Sequence, residues 1–412
     1  MRKICIIIMA LLAGMVWAKD YTLDDLIQAG LNNAYSLRQK AILLQNANLD
    51  VNTATLNLLP ELTTSASRSD VDGTYRNKAS LNISKTLTLN EPNYFNYRTS
   101  LLSRSQAQMD ISQTKKELVV NVYKNWLSII EKQKELAIRQ ENLKVLNRTK
   151  EQTVLQQSLG QKTSLDVNQA DINLINAQLT LKSLENQLAS LRADLFAMLK
   201  LKDEGGDFVE SEEVIPSESE ALTPSEETPL LIRKLQEDLH KTRLSKLQQH
   251  IGLYPSLSLS FSYNDQSLTN DILAFDKYND SYQISLGLSW TLSSLWEAGG
   301  RYAQTKNSLL LSEWAYENSL TTLDNDKANL TRQMHYLQES LTLNQKKLQQ
   351  ANDNLTTSEE RYKLGLMSLL DLEQARVTAL EASLAVNSIT SQILQTVQDW
   401  NLLTSQPVLG KY

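Results

Sequence analysis

LGQKTSLDVNQA, Leu159 to Ala170, returns as LGLMSLLDLEQA, Leu364 to Ala375, and the reading of this stretch decides the fold. Leu, Gly, Leu, Asp, Gln and Ala coincide in register at 159/364, 160/365, 165/370, 166/371, 169/374 and 170/375. Each copy interrupts a long segment otherwise free of helix breakers. No proline lies between Pro92 and Pro216, and Gly160 is the first glycine after Gly73, with Gly205 next. No proline lies between Gly300 and Pro407, where Gly365 is the lone glycine. Glycine takes left-handed backbone angles at little cost, so Gly160 and Gly365 predict the turns of two long helical hairpins.

Outward from each turn the apolar residues keep a seven-residue step, the seam of a coiled coil. Val122, Ile129, Leu136 and Leu143 lead to the first turn, and Val167, Leu174, Leu181, Leu188 and Leu195 leave it. Ala170, Ala177, Leu184, Leu191 and Met198 form a companion row. In the second half Met334, Leu341, Leu348, Leu355 and Tyr362 approach the turn, and Leu372, Ala379, Val386, Ile393 and Trp400 leave it, 205 residues after the first row. A helix from about Asn93 to Leu159 is on the order of 100 Å long. The chain is an internal repeat.

Further out lie two pairs of strand-like segments. Leu62, Thr64 and Ala66 alternate weakly, and Leu81, Ile83, Lys85 and Leu87 alternate clearly with polar neighbours, with turn residues at Asp70–Gly73 between them. Leu257, Leu259, Phe261 and Tyr263, then Ile284, Leu286, Leu288 and Trp290, alternate with Ser, Asn and Gly. Helices are expected from the Thr22/Asp25 capping spacing to about Leu58, from Pro229 to about Ile251, and from about Gly300 onward. The resulting organisation is 1–18, 19–202, 203–228, 229–406 and 407–412. The first piece reads as a secretory signal peptide, with Arg2 and Lys3 before the apolar run Ile6–Met15. Residues 203–228 carry Asp and Glu without Lys or Arg and read as a solvated acidic linker between the repeats; a short tail follows 406.

The formal net charge of −6 gives no basic face for nucleic acid. One cysteine, Cys5, and three histidines, His240, His250 and His335, leave no disulfide or thiolate metal site after the leader. No Ser/His/Asp set or phosphate-binding glycine loop assembles, so the expectation is a non-enzyme without cofactors.

No run of about 18 apolar residues follows the leader, so crossing a membrane would fall to strands. Four strands cannot close a sheet, and an open edge is not viable in lipid. The segments suit barrel strands of about 9–11 residues, and three chains would supply twelve. Tyr254, Tyr263, Tyr282, Trp290 and Trp296 fall near strand ends, where interfacial girdles belong, although aromatics at strand ends also suit a small soluble sheet.

The order helix, strand pair, long hairpin, acidic linker, then the same again, resembles the TolC family of outer-membrane efflux proteins. The residues that carry the likeness are Leu159-Gly160, Leu165-Asp166-Val167 and Ala170; Arg361-Tyr362-Lys363-Leu364-Gly365, Leu370-Asp371-Leu372 and Ala375; and Leu286 to Leu292 leading to Gly299-Gly300-Arg301. The likeness spans about Tyr21 to Pro407. It implies a mainly α protein with a membrane β-barrel: a homotrimer whose twelve-stranded barrel in outer-membrane lipid continues as a helical tunnel through the periplasm of a Gram-negative type envelope. It further implies export of drugs, metals or proteins by efflux or type I secretion, with a periplasmic membrane-fusion adaptor and an inner-membrane pump or ABC exporter as partners. Gly160 and Gly365 then mark the periplasmic tips where an adaptor docks, and Asp166, Tyr362 and Asp371 the aperture. Leu81, Ile83, Leu257, Leu259, Phe261, Ile284, Leu286 and Leu288 become the lipid-facing positions of the barrel. The resemblance also implies an inter-helix link of Tyr, Asp and Arg that holds the aperture shut: Tyr362 and Asp166 match the first two, the arginine falls on Met367, where Lys162 or Lys363 could substitute, and the second partner of Asp371 falls on Gln374. Each aspartate also has a plain reading as the N-cap of the helix after its turn. A structural or adaptor coiled-coil protein without a pore is the alternative for the whole chain.

Overall fold

The computed structural model describes residues 20–71, 74–88, 91–209, 222, 228–251, 253–269, 278–290, 292 and 294–411. The expected leader over 1–18 and most of the acidic linker lie outside them, as does part of the Asp70–Gly73 turn. In chain order the elements are α1 (Leu23–Asn33), α2 (Tyr35–Leu56), β1 (Glu61–Val71), β2 (Thr74–Thr88), α3 (Pro92–Ser158) and α4 (Ser164–Leu199). They continue with α5 (Leu230–Ile251), β3 (Ser256–Thr269), β4 (Tyr278–Ser289), α6 (Ser294–Lys363), α7 (Leu369–Leu403) and a closing 3-10 turn, Val408–Gly410. The chain forms two compact units, one of Gln39–Gln113 and Thr228–Thr322, the other of Met1–Arg38, Thr114–Glu227 and Leu323–Tyr412.

The first of these holds one antiparallel sheet in the order β1-β2-β3-β4. Cross-strand partners share a face, so the register tests the alternation directly. Leu62 pairs with Ile83, and Ile83 with Tyr263. Leu257, Leu259, Phe261 and Tyr263 pair with Leu288, Leu286, Ile284 and Tyr282. The alternating apolar positions from Leu62 through Leu81–Leu87 and Leu257–Tyr263 to Tyr282–Leu288 therefore fall on one face, and the other is mainly polar, where Ser65 and Ser80 share a hydrogen bond of 2.6 Å. β1 and β4 are each paired on one side only. β1, at 11 residues, has the expected length, and the other three strands, at 12 to 15, exceed it. Away from the sheet, Asp110 on α3 ties together Lys40 on α2 and Lys234 on α5. Gln106 beside it accepts from Lys241 and donates to Asp238.

The second unit is helical. Its main core joins Leu26, Ile27, Ala34 and Leu37 to Val119, Tyr123, Trp126 and Ile129 of α3, and to Leu195 and Leu199 of α4. Gly30 has no room for a side chain there, since a Cβ would stand 2.9 Å from a methyl of Leu199. Packing of this kind also breaks the expected single helix from Thr22 to Leu58: Ala34 turns to extended angles (φ −61°, ψ 128°) and is buried, so the chain restarts as α2. The heptad rows are the buried seams. Met334, Leu341 and Ile393 form one cluster of the second hairpin, and Ala351, Ala379 and Ala382 form another, nearer the turn. α6 begins at Ser294 and runs through Gly299 and Gly300, ahead of the expected start.

Most of the described start of the acidic segment is exposed, but Gly206 and Phe208 are buried. Phe208 is buried against Tyr21 and Phe196, and Tyr21 and Phe208 form a parallel bridge. Arg192 neutralises Asp203 through two hydrogen bonds of 2.9 and 2.7 Å and lies over the Phe208 ring. One aromatic residue and a cation supplied by α4 anchor the start of this otherwise exposed stretch.

The paired hairpin tips as candidate functional site

Both turns are built alike. Gly160 has φ +74° and Gly365 φ +70°, left-handed angles that follow from the end of a helix. Gly160 N–H donates to Gln157 and Gln161 N–H to Gln156, while Gly365 N–H donates to Tyr362 and Leu366 N–H to Arg361, all at 2.9–3.0 Å. This pair of bonds satisfies the last carbonyls of each ascending helix.

The returning helices restart on Thr163 and Ser368. These residues, not the aspartates, are the N-caps. Asp166 and Asp371 each stand three residues later, as capping partners, because a hydroxyl on the residue just outside the helix reaches the exposed N–H groups first. Asp166 closes a full capping box, accepting from Thr163 N–H at 2.9 Å and from its hydroxyl at 2.8 Å. Those bonds, with the Lys162 charge adding, hold the Asp166 carboxyl below the usual carboxylate range. Asp371 accepts only from the Ser368 hydroxyl, at 2.6 Å, and is exposed.

Beneath the second turn lies a small core of Tyr362, Leu369 and Leu372 with Ala170 of the first hairpin, joined by Met367 and Leu355. Tyr362 is 9 % exposed, and its hydroxyl finds no partner among the described residues. Asp166 is turned to its own cap, so the expected link from Tyr362 to Asp166 is not made within the chain. A cation does come to Tyr362: Lys162 Nζ lies 5.3 Å from the ring centroid, inside cation–π reach. It meets the ring face, and Met367 packs as an apolar residue.

Further along the helices, Arg376 of α7 is 11 % exposed in its side chain. It donates to Thr149 Oγ1 of α3 at 2.9 Å, to Glu373 at 2.8 Å and to Glu359 of α6 at 3.3 Å. Burial pushes the Glu373 carboxyl above its ordinary value, with Arg376 pulling it back. Sequence reasoning missed this cluster. The available signal was the repeat itself, because Arg376 stands 205 residues after Asp171, where the first hairpin has the opposite charge. Asp171 pairs with Lys150 inside its own hairpin.

The positions expected to face lipid are Leu81, Ile83, Leu257, Leu259, Phe261, Ile284, Leu286 and Leu288; all share the apolar face of the sheet, and Ile284, Leu286 and Leu288 are 68–73 % exposed in the single chain. Lys85 belongs to the same face and bends to the Asn57 carbonyl at 3.3 Å. Among the described residues no helix is long and apolar enough to cross a membrane, and no three His, Cys, Asp or Glu side chains gather as a metal site.

A family model described as outer membrane efflux protein matches residues 26–199 and 233–404, both repeats. No curated protein matches. Among solved structures, a membrane protein from Pseudomonas aeruginosa is 15 % identical, with TM-score 0.81 over 95 % of this chain and 91 % of that one. The outer membrane protein VceC of Vibrio cholerae is 15 % identical, with TM-score 0.78 over 93 % and 94 %. The CmeC outer membrane channel of Campylobacter jejuni is 16 % identical, with TM-score 0.77 over 93 % and 85 %. Two long hairpins and a one-sided four-stranded sheet, superposing on these molecules, define a TolC-like outer-membrane channel fold. The chain belongs to the outer membrane efflux protein family, and its role is that of an efflux channel.

Proposed function

We propose that the chain is one third of a passive exit duct in the outer membrane. Three copies complete a twelve-stranded barrel, and the helices enclose a periplasmic tunnel. A periplasmic membrane-fusion adaptor engages the tips around Gly160 and Gly365, and an inner-membrane pump or ABC exporter supplies energy and cargo. The observation that carries this reading is the sheet. It exposes an apolar face and leaves β1 and β4 open, and in hydrocarbon the unpaired N–H and C=O groups of an edge strand cost several kcal/mol each. Closure with further copies removes those edges. Asp371, exposed near the second turn, would then recur three times around the axis as a ring favouring cations.

Conductance in a planar bilayer tests this reading. The purified oligomer should give discrete, cation-preferring channels, with the preference weakened in Asp371→Asn. Discrete channels indifferent to that substitution keep the duct and reduce Asp371 to the capping partner of Ser368. A folded, inserted oligomer that never conducts would instead support an envelope scaffold.

A further inference from the structure

Among the described residues two cations fall on the apolar face of the sheet, one toward each end. Arg68 of β1 stands level with Asn77, and Lys85 lies on β2 between Ile83 and Leu87, opposite Phe261. Eight residues separate Asn77 from Lys85. That is about 26 Å along a strand, or roughly 20 Å of height when the strand is tilted as in a barrel, close to the apolar band of about 25 Å. Lys85 therefore stands at the edge of that band on the side of the helices, three residues before β2 ends at Thr88. The penalty for a lysine facing hydrocarbon is greatest at mid-depth and nearly vanishes at such an edge.

The ammonium is turned away from the sheet, toward the end of α2. Its Nζ donates to the carbonyl of Asn57, the residue just past Leu56, and α2 has no basic residue in its last turn. Lys85 thus supplies a cation at the negative pole of that helix. The contact uses one of three ammonium protons. No carboxylate among the described residues forms an ion pair with Lys85. Glu61 is level with Ser84 and so stands on the opposite face, and Glu91 accepts from the Asn93 N–H. The surface on either side is apolar. Leu56 and Leu59 flank Asn57 in the chain, Leu62 and Leu87 lie beside Lys85 on the sheet, and all four are 50–64 % exposed. A half-buried ammonium with two protons to place, set among exposed leucines, matches a ligand that joins a phosphate to hydrocarbon chains. A zwitterionic headgroup carries its own cation, so the uncompensated charge of Lys85 favours an anionic one.

We propose that Lys85 and the end of α2 form a binding site for an anionic phospholipid of the leaflet next to the helices. The ammonium bridges the Asn57 carbonyl and the lipid phosphate, and the acyl chains lie over Leu62 and Leu87. This rests on the reading of the sheet as part of a barrel in lipid, and it gives each chain one site where that barrel meets the helices.

The test uses the full chain as the purified oligomer, in nanodiscs of phosphatidylglycerol or of phosphatidylcholine. Affinity for phosphatidylglycerol is read by native mass spectrometry, and melting temperature is followed in both lipids. The expected result is that Lys85→Gln binds phosphatidylglycerol about tenfold more weakly than the parent, the scale of one charge-assisted hydrogen bond, while Lys85→Arg stays near the parent. Phosphatidylglycerol should raise the melting temperature of the parent above its value in phosphatidylcholine, and that gain should be lost in Lys85→Gln. If Lys85→Gln lowers melting equally in both lipids and retains phosphatidylglycerol as the parent does, Lys85 only completes the end of α2 and the site is overturned. If sodium phosphate added to the phosphatidylcholine discs stabilises the parent as much as phosphatidylglycerol does, the site takes free phosphate and the lipid assignment fails. A photoactivatable phosphatidylglycerol on the parent alone covers the case in which Lys85→Gln does not assemble: adducts should map to Leu56–Leu62 or to Lys85–Thr88, and adducts confined elsewhere overturn the proposal. An oligomer that takes up neither lipid sinks the barrel reading itself, whereas insertion with equal retention by parent and Lys85→Gln sinks only the lipid site.

Discussion

The two tips share six residues and one turn geometry, and they differ in what lies beneath. At the first, Gln157, Ser164 and Asp171 occupy the places held at the second by Tyr362, Leu369 and Arg376. The first tip is therefore held by local hydrogen bonds at its surface: a full capping box on Thr163 and the Lys150–Asp171 pair. The second has a weaker cap, a small apolar core and a buried ion cluster that reaches the other hairpin. Repeated turn chemistry reproduces a turn. It does not reproduce an attachment, because attachment depends on side chains that the turn itself does not constrain.

The sharpest way to break this contrast is to remove the apolar core. Leu372→Ala, at a site 1 % exposed, should cost about 3 kcal/mol in unfolding of the helical unit, while Val167→Ala at the matching half-buried place should cost about 1 kcal/mol. Denaturant unfolding followed by helical circular dichroism measures both, and equal costs would mean that the second tip has no core of consequence. Next in size, Arg376→Gln should cost about 2 kcal/mol by leaving Glu373 buried beside a neutral side chain. Asp171→Asn, in a half-exposed pair, should cost less than about 1 kcal/mol. At the turns the contrast should vanish. Gly160→Ala and Gly365→Ala meet no neighbouring atom within 4 Å, so each carries only the left-handed backbone penalty, about 1 kcal/mol, and the two should match.

The smallest expected effect is a difference of sign in pH dependence. The Asp166 carboxyl is lowered by its cap, so its contribution is present above the unfolded value of about 3.9 and is lost as pH falls through the folded value. Melting temperatures of the parent and Asp166→Asn should thus converge in strong acid. The Glu373 carboxyl is raised by burial, so its contribution is full below the unfolded value of about 4.3 and fades as pH rises through the folded value. The parent's margin over Glu373→Gln should shrink between mildly acid and neutral pH. Parallel curves for the two pairs would remove the distinction between surface cap and buried cluster.

How much could be read in advance follows the range of the interaction. Gly160 and Gly365, the heptad rows and the alternation of the strands are written within a few residues of each position, and each appears in the fold where periodicity puts it. The register places the apolar positions of β1, β2, β3 and β4 on one face without exception at the pairs from Leu62 to Leu288. Two of the differences have distant causes. Ala34 breaks a helix because Leu118 to Ile130 and Leu195 to Leu199 shape the pocket around it. Phe208 is pulled out of an acidic stretch by Tyr21, Phe196 and Arg192. The third is local: a Thr or Ser followed by Asp marks each cap, and the hydroxyl residue just outside the helix takes the cap position while the aspartate is its partner.

By itself the sequence determined two repeats, their turns, their coiled-coil seams and a sheet with one apolar face, since each arises from backbone geometry and from side chains near in the chain. Only the tertiary structure decided that Arg376 bonds to Thr149, that Tyr362 receives Lys162 instead of Asp166, and that the second tip has a core. Those contacts join residues as far apart as 227 positions, and no local pattern encodes which of many polar side chains a folded helix will bring within 3 Å of another.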